Sequence, residues 1–211
     1  MIKLENITYK YPKGSAPVLS DFSACFERGE IVAVRGKNGC GKTTLTKLIA
    51  GILRPAAGYI QIDGADTGSL DLFGIGQRVG YIFQNPNLQL FCDTVYNEAA
   101  YGLKNSGLES SQIAEKTDYY LEHFEILQYR DVYPGKLSLG EKQRLALAAV
   151  LVLGTDYLVL DEPTTGLDVY RRRALGDMLL RLREERNCGI VFTSHEADFI
   201  ARCADRELVI R

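Results

Sequence analysis

The chain opens on an alternating pattern. Ile2, Leu4 and Ile7 stand among polar residues, the rhythm of a half-buried strand. Apolar, β-prone stretches follow at 18–26 and 31–34, and Gly14 and Pro17 punctuate the gap before them. The period then changes. Leu45, Leu48 and Ile49 recur at helical spacing and Gly51 is a stop, so a helix is predicted ahead of it. The segment GYIQIDGADTG returns to strand around an Asp63-Gly64 turn, and Val79–Phe83 is a further short strand.

Between Asp93 and Tyr129 the pattern is helical and polar. Val95, Ala99 and Leu103 lie four apart, and Ile113, Thr117, Tyr120, Leu121 and Phe124 form the apolar face of a second helix. No strand pattern occurs there, so the segment reads as a helical insertion closed by Pro134-Gly135. The run Leu145–Leu153 is apolar on every side, which predicts a buried helix. YLVLDE then reads as a strand buried on both faces. A helix over Val169–Glu185, a strand over GIVFTS, a helix over Glu196–Cys203 and a last strand at ELVIR complete the chain. Strands that alternate with helices predict an α/β core around a mostly parallel sheet.

Composition narrows the function. The 211 residues suit one domain, or one domain with an inserted subdomain. A net charge of −2 gives no global positive field for nucleic acid. The longest apolar run is too short to span a bilayer, so a membrane role would go through a partner. The start of the chain has no signal-peptide pattern. Cys25, Cys40, Cys92, Cys188 and Cys203 lack CxxC spacing, which argues against a zinc site or disulfide framework and for a reducing, cytosolic setting.

The chemistry is concentrated in three places. GKNGCGKT, made of Gly36, Lys37, Asn38, Gly39, Cys40, Gly41, Lys42 and Thr43, fits the phosphate-loop motif in full, and Thr44 follows it into the helix. Its glycines let backbone N–H groups turn inward around phosphate oxygens. Lys42 is placed for the β- and γ-phosphates and the Thr43 hydroxyl for Mg²⁺. In LVLDE, an apolar strand ends in Asp161, a candidate Mg²⁺ ligand, and Glu162, a candidate general base for water. In LSLGEKQR, Ser138 and Glu141 form a capping box, which starts a helix at Leu139. On residue chemistry alone this third motif is either a helix cap or a second phosphate-binding turn. Tyr11 and His195 each have a plain structural alternative when taken singly. His123 and the Arg171–Arg173 run read as solvated surface.

With these motifs in this order, the chain resembles the nucleotide-binding ATPase subunit of ABC transporters over nearly its whole length. The resemblance implies a P-loop NTPase (RecA-like) α/β core with an N-terminal antiparallel β portion. The core would comprise 1–83 and 137–211, and a helical subdomain inserted at 84–136 would contact a membrane partner. It implies that Tyr11 lies against adenine, that Gln84 after YIF meets Mg²⁺, and that His195 contacts the γ-phosphate as a catalytic switch beside Glu162. It further implies that Asp168, closing TTGLD, is a dimer contact, and that Ser138, Gly140 and Glu141 face ATP held by a second subunit. The commonest family signature is Leu-Ser-Gly-Gly-Gln, so Leu139 and Glu141 depart from it.

FQNPNLQLFCDTV looks like the energy-coupling-factor branch, whose members serve importers of vitamins and of cobalt or nickel ions. The implied cofactors are ATP and Mg²⁺. The implied partners are a second ATPase subunit, identical or not, a transmembrane coupling protein and a substrate-binding membrane subunit, with no nucleic acid. The implied location is peripheral, on the cytoplasmic face of the membrane. Most family members continue past the last strand through a further turn and helix, so this is expected to be either a compact subunit or one domain of a longer chain. Alternatives are another ABC transporter class, or a soluble ABC ATPase acting on ribosomes or DNA, against which stand the one cassette and the lack of sustained heptads. A regulatory GTPase would need an Asn-Lys-x-Asp motif that the sequence lacks.

Overall fold

The structure is a computed structural model that describes residues 1–12 and 16–210. Gly14, one of the two residues read as punctuation, lies outside the described residues. In chain order the elements are β1 (Ile2–Tyr9), β2 (Leu19–Phe26), β3 (Ile31–Arg35), α1 (Lys42–Ile49), β4 (Ala57–Ile62), β5 (Ala65–Asp66), α2 (Leu72–Gly76) and β6 (Val79–Ile82). There follow α3 (Val95–Ala100), α4 (Ser110–His123), α5 (Leu139–Leu151), β7 (Tyr157–Leu160), α6 (Val169–Arg186), β8 (Gly189–Thr193), α7 (Ala197–Cys203) and β9 (Arg206–Val209). They form two compact units, one of residues 1–81 with 156–211 and one of 82–155.

The first unit holds two sheets. The antiparallel one has the order β2-β1-β4-β5, and β1 sits centrally with Ile2 opposite Phe26 and Ile62, and Leu4 opposite Ala24 and Ile60. That register puts Ile2 and Leu4 on one buried face, and the register shift between Leu4 and Ile7, where Asn6 has φ 52°, brings Ile7 into the same buried core. The second sheet has the order β6-β7-β8-β3-β9, with β3 parallel to both β8 and β9, and β7 parallel to β8. Every residue of β7 and β8 is buried, as expected of central parallel strands. One core unites the sheets: Ile2, Leu4 and Ile60 pack with Val32, Val34, Val159 and the inner face of α1. Each such side chain contributes roughly 1.5–3 kcal/mol by leaving water.

A polar tie reinforces this core. The ring of Tyr157 is fully buried at the start of β7, and its hydroxyl donates to Asp63 Oδ1 at 2.8 Å. Asp63 belongs to the turn between β4 and β5, where it and Gly64 both have positive φ. Arg28 spans Asp63 at 2.7 Å and Asp156 at 2.8 Å.

The second unit is helical among its described residues apart from the end of β6. Val95, Ala99 and Leu103 are buried, as are Thr117, Leu121 and Phe124 from the next helix. Helix α5 begins at Leu139 and packs on both α3 and α4. The expected division at 136/137 therefore differs from the compact units: the signature helix sits with the helical unit, and the boundary falls at 155/156. The physical reason is that the apolar run on α5 finds its burial among helices.

Candidate active site

The phosphate loop joins β3 to α1, at the C-terminal end of a parallel strand where such sheets bind ligands. Gly41 is the N-cap of α1 with φ 105°, a left-handed conformation that would cost an L-residue about 1–2 kcal/mol. At Gly36 a Cβ would come within 2.6 Å of the Ile210 carbonyl oxygen, so the backbone passes there only without a side chain. No side chain caps α1, which leaves its first amides for a ligand. The buried Lys42 turns its ammonium to the Gly36 and Lys37 carbonyls at 3.0 and 3.2 Å. The loop thus carries its cation at its own centre, among inward-facing backbone. Lys37, Asn38 and Gly39 are exposed, Cys40 is half-buried, and all five cysteines are free thiols.

Asp161 follows β7 with 4% exposure. Its Oδ1 accepts Thr43 Oγ1–H at 3.1 Å and Thr193 Oγ1–H at 3.0 Å, and its Oδ2 faces the Tyr81 hydroxyl at 3.5 Å. The structure thus brings Thr43 and Asp161 together. Thr43, Asp161 and their hydroxyl neighbours form an all-oxygen donor set, which fits a hard cation such as Mg²⁺.

Glu162 adopts φ 48°, a left-handed conformation rare for a residue with a side chain. Its N–H donates to Thr193 Oγ1 at 2.7 Å, so one threonine holds both acidic residues in place. The turn aims the Glu162 carboxylate at His195, with Oε1 3.3 Å from Nε2. Burial pushes the Glu162 carboxyl above its ordinary range, while the nearby His195 and Lys42 charges pull the other way. A carboxylate raised in this way and held at a strand end is suited to accept a proton from water. His195 follows β8, half-exposed, and with Ser194, Gly36, Lys37 and Asn38 it lines a hollow of about 550 Å³. That volume lies within the usual range for a small-molecule site.

Tyr11 stacks edge-on against Tyr9, with centroids 5.1 Å apart, and its hydroxyl lies 3.2 Å from Thr44 Oγ1. Its ring is 40% exposed, available to stack, and tied to the first turn of α1. Asp168 caps α6 by accepting the Arg171 N–H at 2.8 Å. Gln84 is exposed just past β6 and falls in the helical unit. So do Ser138, Gly140 and Glu141, where the capping box is formed: Glu141 Oε2 accepts the Ser138 N–H at 2.7 Å and Ser138 Oγ accepts the Glu141 N–H at 3.4 Å.

Two contributors were not singled out from sequence, Thr193 and Tyr81. Their only sequence signal is position, a hydroxyl residue at or near the end of a predicted buried strand. The Arg171–Arg173 run is exposed at both ends, as expected, but Arg172 is half-buried and paired with Glu196.

Residues 19–165 match the family described as ABC transporter. An energy-coupling factor transporter ATP-binding protein from Enterococcus faecalis is 38% identical over 212 aligned positions, covering all of this chain and 76% of that protein. Among solved structures, cbiO1 from Clostridium perfringens, described as part of the ABC transporter complex cbiONQ, matches with TM-score 0.89 and 32% identity over all of this chain and 84% of the other. The ATP-binding cassette MJ0796, solved as a dimer in a post-hydrolysis state with ADP and phosphate, matches with TM-score 0.88 and 25% identity over all of this chain and 94% of the other.

Proposed function

This chain belongs to the ABC transporter ATPases, in their energy-coupling-factor branch, and hydrolyses ATP; from that premise we propose that its ATP-driven head-to-tail dimerisation powers import of a vitamin or a metal ion. The observation that carries this reading is the Glu162–His195 pair, set at adjacent strand ends, with the Glu162 N–H on the same Thr193 hydroxyl that donates to Asp161.

ATP lies with adenine on Tyr11 and its phosphates on the amides of Gly39, Cys40 and Gly41 and on Lys42, Thr43 and Thr44. Lys42 exchanges the Gly36 and Lys37 carbonyls for β- and γ-phosphate oxygens, trading neutral acceptors for charged ones. Mg²⁺ would be held by Thr43 and Asp161, where it would neutralise charge on the β- and γ-phosphates. Glu162 takes a proton from the attacking water as the water oxygen bonds to the γ-phosphorus and the bond to ADP breaks. His195 orients the Glu162 carboxylate and the γ-phosphate.

The second half of the site comes from another copy, whose Ser138 hydroxyl and Gly140 N–H face the same γ-phosphate, with Asp168 at the dimer contact. Loss of the γ-phosphate removes the charge that joins the two halves, a recognised way of releasing an ordered state. The helical unit carries the motion to a transmembrane coupling protein, which works with a substrate-binding membrane subunit. Among the described residues no helix is long and apolar enough to cross a membrane, which suits a peripheral subunit at the cytoplasmic face.

The test mixes two disabled copies, Ser138→Arg and Lys42→Ala, reconstituted with the membrane partners. Each alone should be inactive. Their mixture should regain ATP hydrolysis and uptake, because one composite site is then intact. Silence at every mixing ratio would overturn the head-to-tail arrangement, and hydrolysis without uptake of vitamins or metal ions would overturn the transport assignment.

A further inference from the structure

The parallel ladder between β7 and β8 ends at the pair Leu160–Phe192. There β7 stops, while β8 runs one residue further, to Thr193. Past that pair Glu162 turns at φ 48°, and its N–H meets a side-chain hydroxyl in place of a strand carbonyl: Thr193 Oγ1, at 2.7 Å. Thr193 is fully buried, and an amide left unpaired against a buried side chain is costly. A hydroxyl has one proton. Because Thr193 Oγ1 accepts the Glu162 N–H, its own proton is left for Asp161 Oδ1 at 3.0 Å. Asp161 has another donor in Thr43 Oγ1 at 3.1 Å, whereas Thr193 is the partner that the structure gives the Glu162 N–H.

The rest of the turn closes on itself and on the same strand end. The Thr165 N–H donates to the Glu162 carbonyl at 3.1 Å, and the buried Thr164 and Ser194 hydroxyls lie 3.0 Å apart. Glu162 Oε1 then stands 3.3 Å from His195 Nε2. A left-handed residue with a side chain persists only where its surroundings hold it. We propose that Thr193 is a positioning residue for hydrolysis: by accepting the Glu162 N–H, its hydroxyl holds Glu162 in the left-handed turn and so keeps the carboxylate against His195 and the attacking water. This rests on the reading of Glu162 as general base. It separates two jobs, because loosening this turn affects the chemical step and leaves the grip of the phosphate loop alone.

The test compares Thr193→Val, which keeps the shape of the side chain and removes the hydroxyl, with Thr193→Ser, which keeps the hydroxyl. The full chain is assayed for kcat, for ATP affinity by calorimetry and, without nucleotide, for hydrogen exchange at the Glu162 amide. Valine should lower kcat roughly 10- to 100-fold and change ATP affinity less than about threefold, as a misplaced but intact base would. It should also expose the Glu162 amide to exchange. Serine should bring kcat back to within about threefold of the parent and restore protection, since the hydrogen bond is kept. In the Glu162→Gln background valine should cost less than about twofold more, because the group it positions is already gone. Thr193→Ala is read in the same way as valine, so the test survives a folding failure of either. Unchanged kcat without the hydroxyl would overturn the proposal. So would an equal loss in the serine variant or in the Glu162→Gln background, which marks a packing defect. A loss repaired by added Mg²⁺ would overturn it too, since Thr193 would then act through Asp161. If Glu162→Gln itself keeps full turnover, the general-base reading fails and takes this role of Thr193 with it.

Discussion

Helices α1 and α5 both start at turns of the kind that meets phosphate, and their first turns are finished in opposite ways. Helix α1 begins at Gly41, which has no side chain to cap it, and its first amides stay open. Helix α5 is capped by Ser138, whose capping box with Glu141 already occupies two N–H groups. Both termini carry the same partial positive charge from the helix dipole. What differs is the number of donors left over. The first turn is built to hold an anion by itself, with Lys42 buried at the loop's centre. The second is stable without a ligand and has less to offer one. A grip that is strong in one place and weak in the other suits a nucleotide held by one subunit and only completed by another.

The largest expected effect separates grip from chemistry. Glu162→Gln should lower turnover by roughly 10²–10⁴, the usual worth of a general base, while ATP affinity is kept. The same variant carries the pH dependence. Burial raises the Glu162 carboxyl, so the active carboxylate is lost as pH falls through a value above that of an ordinary glutamate. The acid limb of kcat should lie correspondingly high and vanish in the glutamine variant. Full turnover in that variant would remove Glu162 from its role.

Next comes the grip of α1. Lys42→Ala should weaken ATP binding by roughly 10- to 150-fold, from the loss of charged hydrogen bonds; titration calorimetry showing unchanged affinity would refute the loop assignment. The smallest effect belongs to α5. Ser138→Ala removes a side-chain cap that α1 never had, and should cost about 1 kcal/mol of stability in denaturant unfolding while leaving ATP binding to the isolated subunit unchanged. If it instead weakened ATP binding as Lys42→Ala does, the contrast between the two helices would collapse.

Much of the site was legible because its motifs are local. A phosphate loop needs its glycines and lysine at set intervals, and a capping box needs partners three residues apart, so both can be read from neighbours in the chain. Asp161 and Glu162 were legible only in company: a strand that ends in two acids is as easily a solvated turn, and it points to a site because a phosphate loop precedes it in the same chain. Thr193 was not, because a threonine at the end of a strand is ordinary. Its role depends on β8 lying beside β7, which brings it to Asp161 and to the Glu162 N–H. The same holds for Tyr81 against Asp161 and for Arg28 spanning Asp63 and Asp156.

The compact units divide the chain elsewhere than the expected 136/137, for a related reason. Pro134-Gly135 is a strong local stop, but whether a helix belongs to the core or to the insertion is decided by what covers its apolar side chains, and α5 is covered by α3 and α4. By itself, then, the sequence determined most of the elements, though not α2, together with the phosphate loop, the acidic strand end and the cap of α5, all set by spacing along the backbone. Only the tertiary structure decided the order of the strands, the sharing of Thr193 between two acids and the partner of His195. Those contacts join residues far apart in the chain, and burial of the two sheets and of the helical unit, rather than any local preference, selects them.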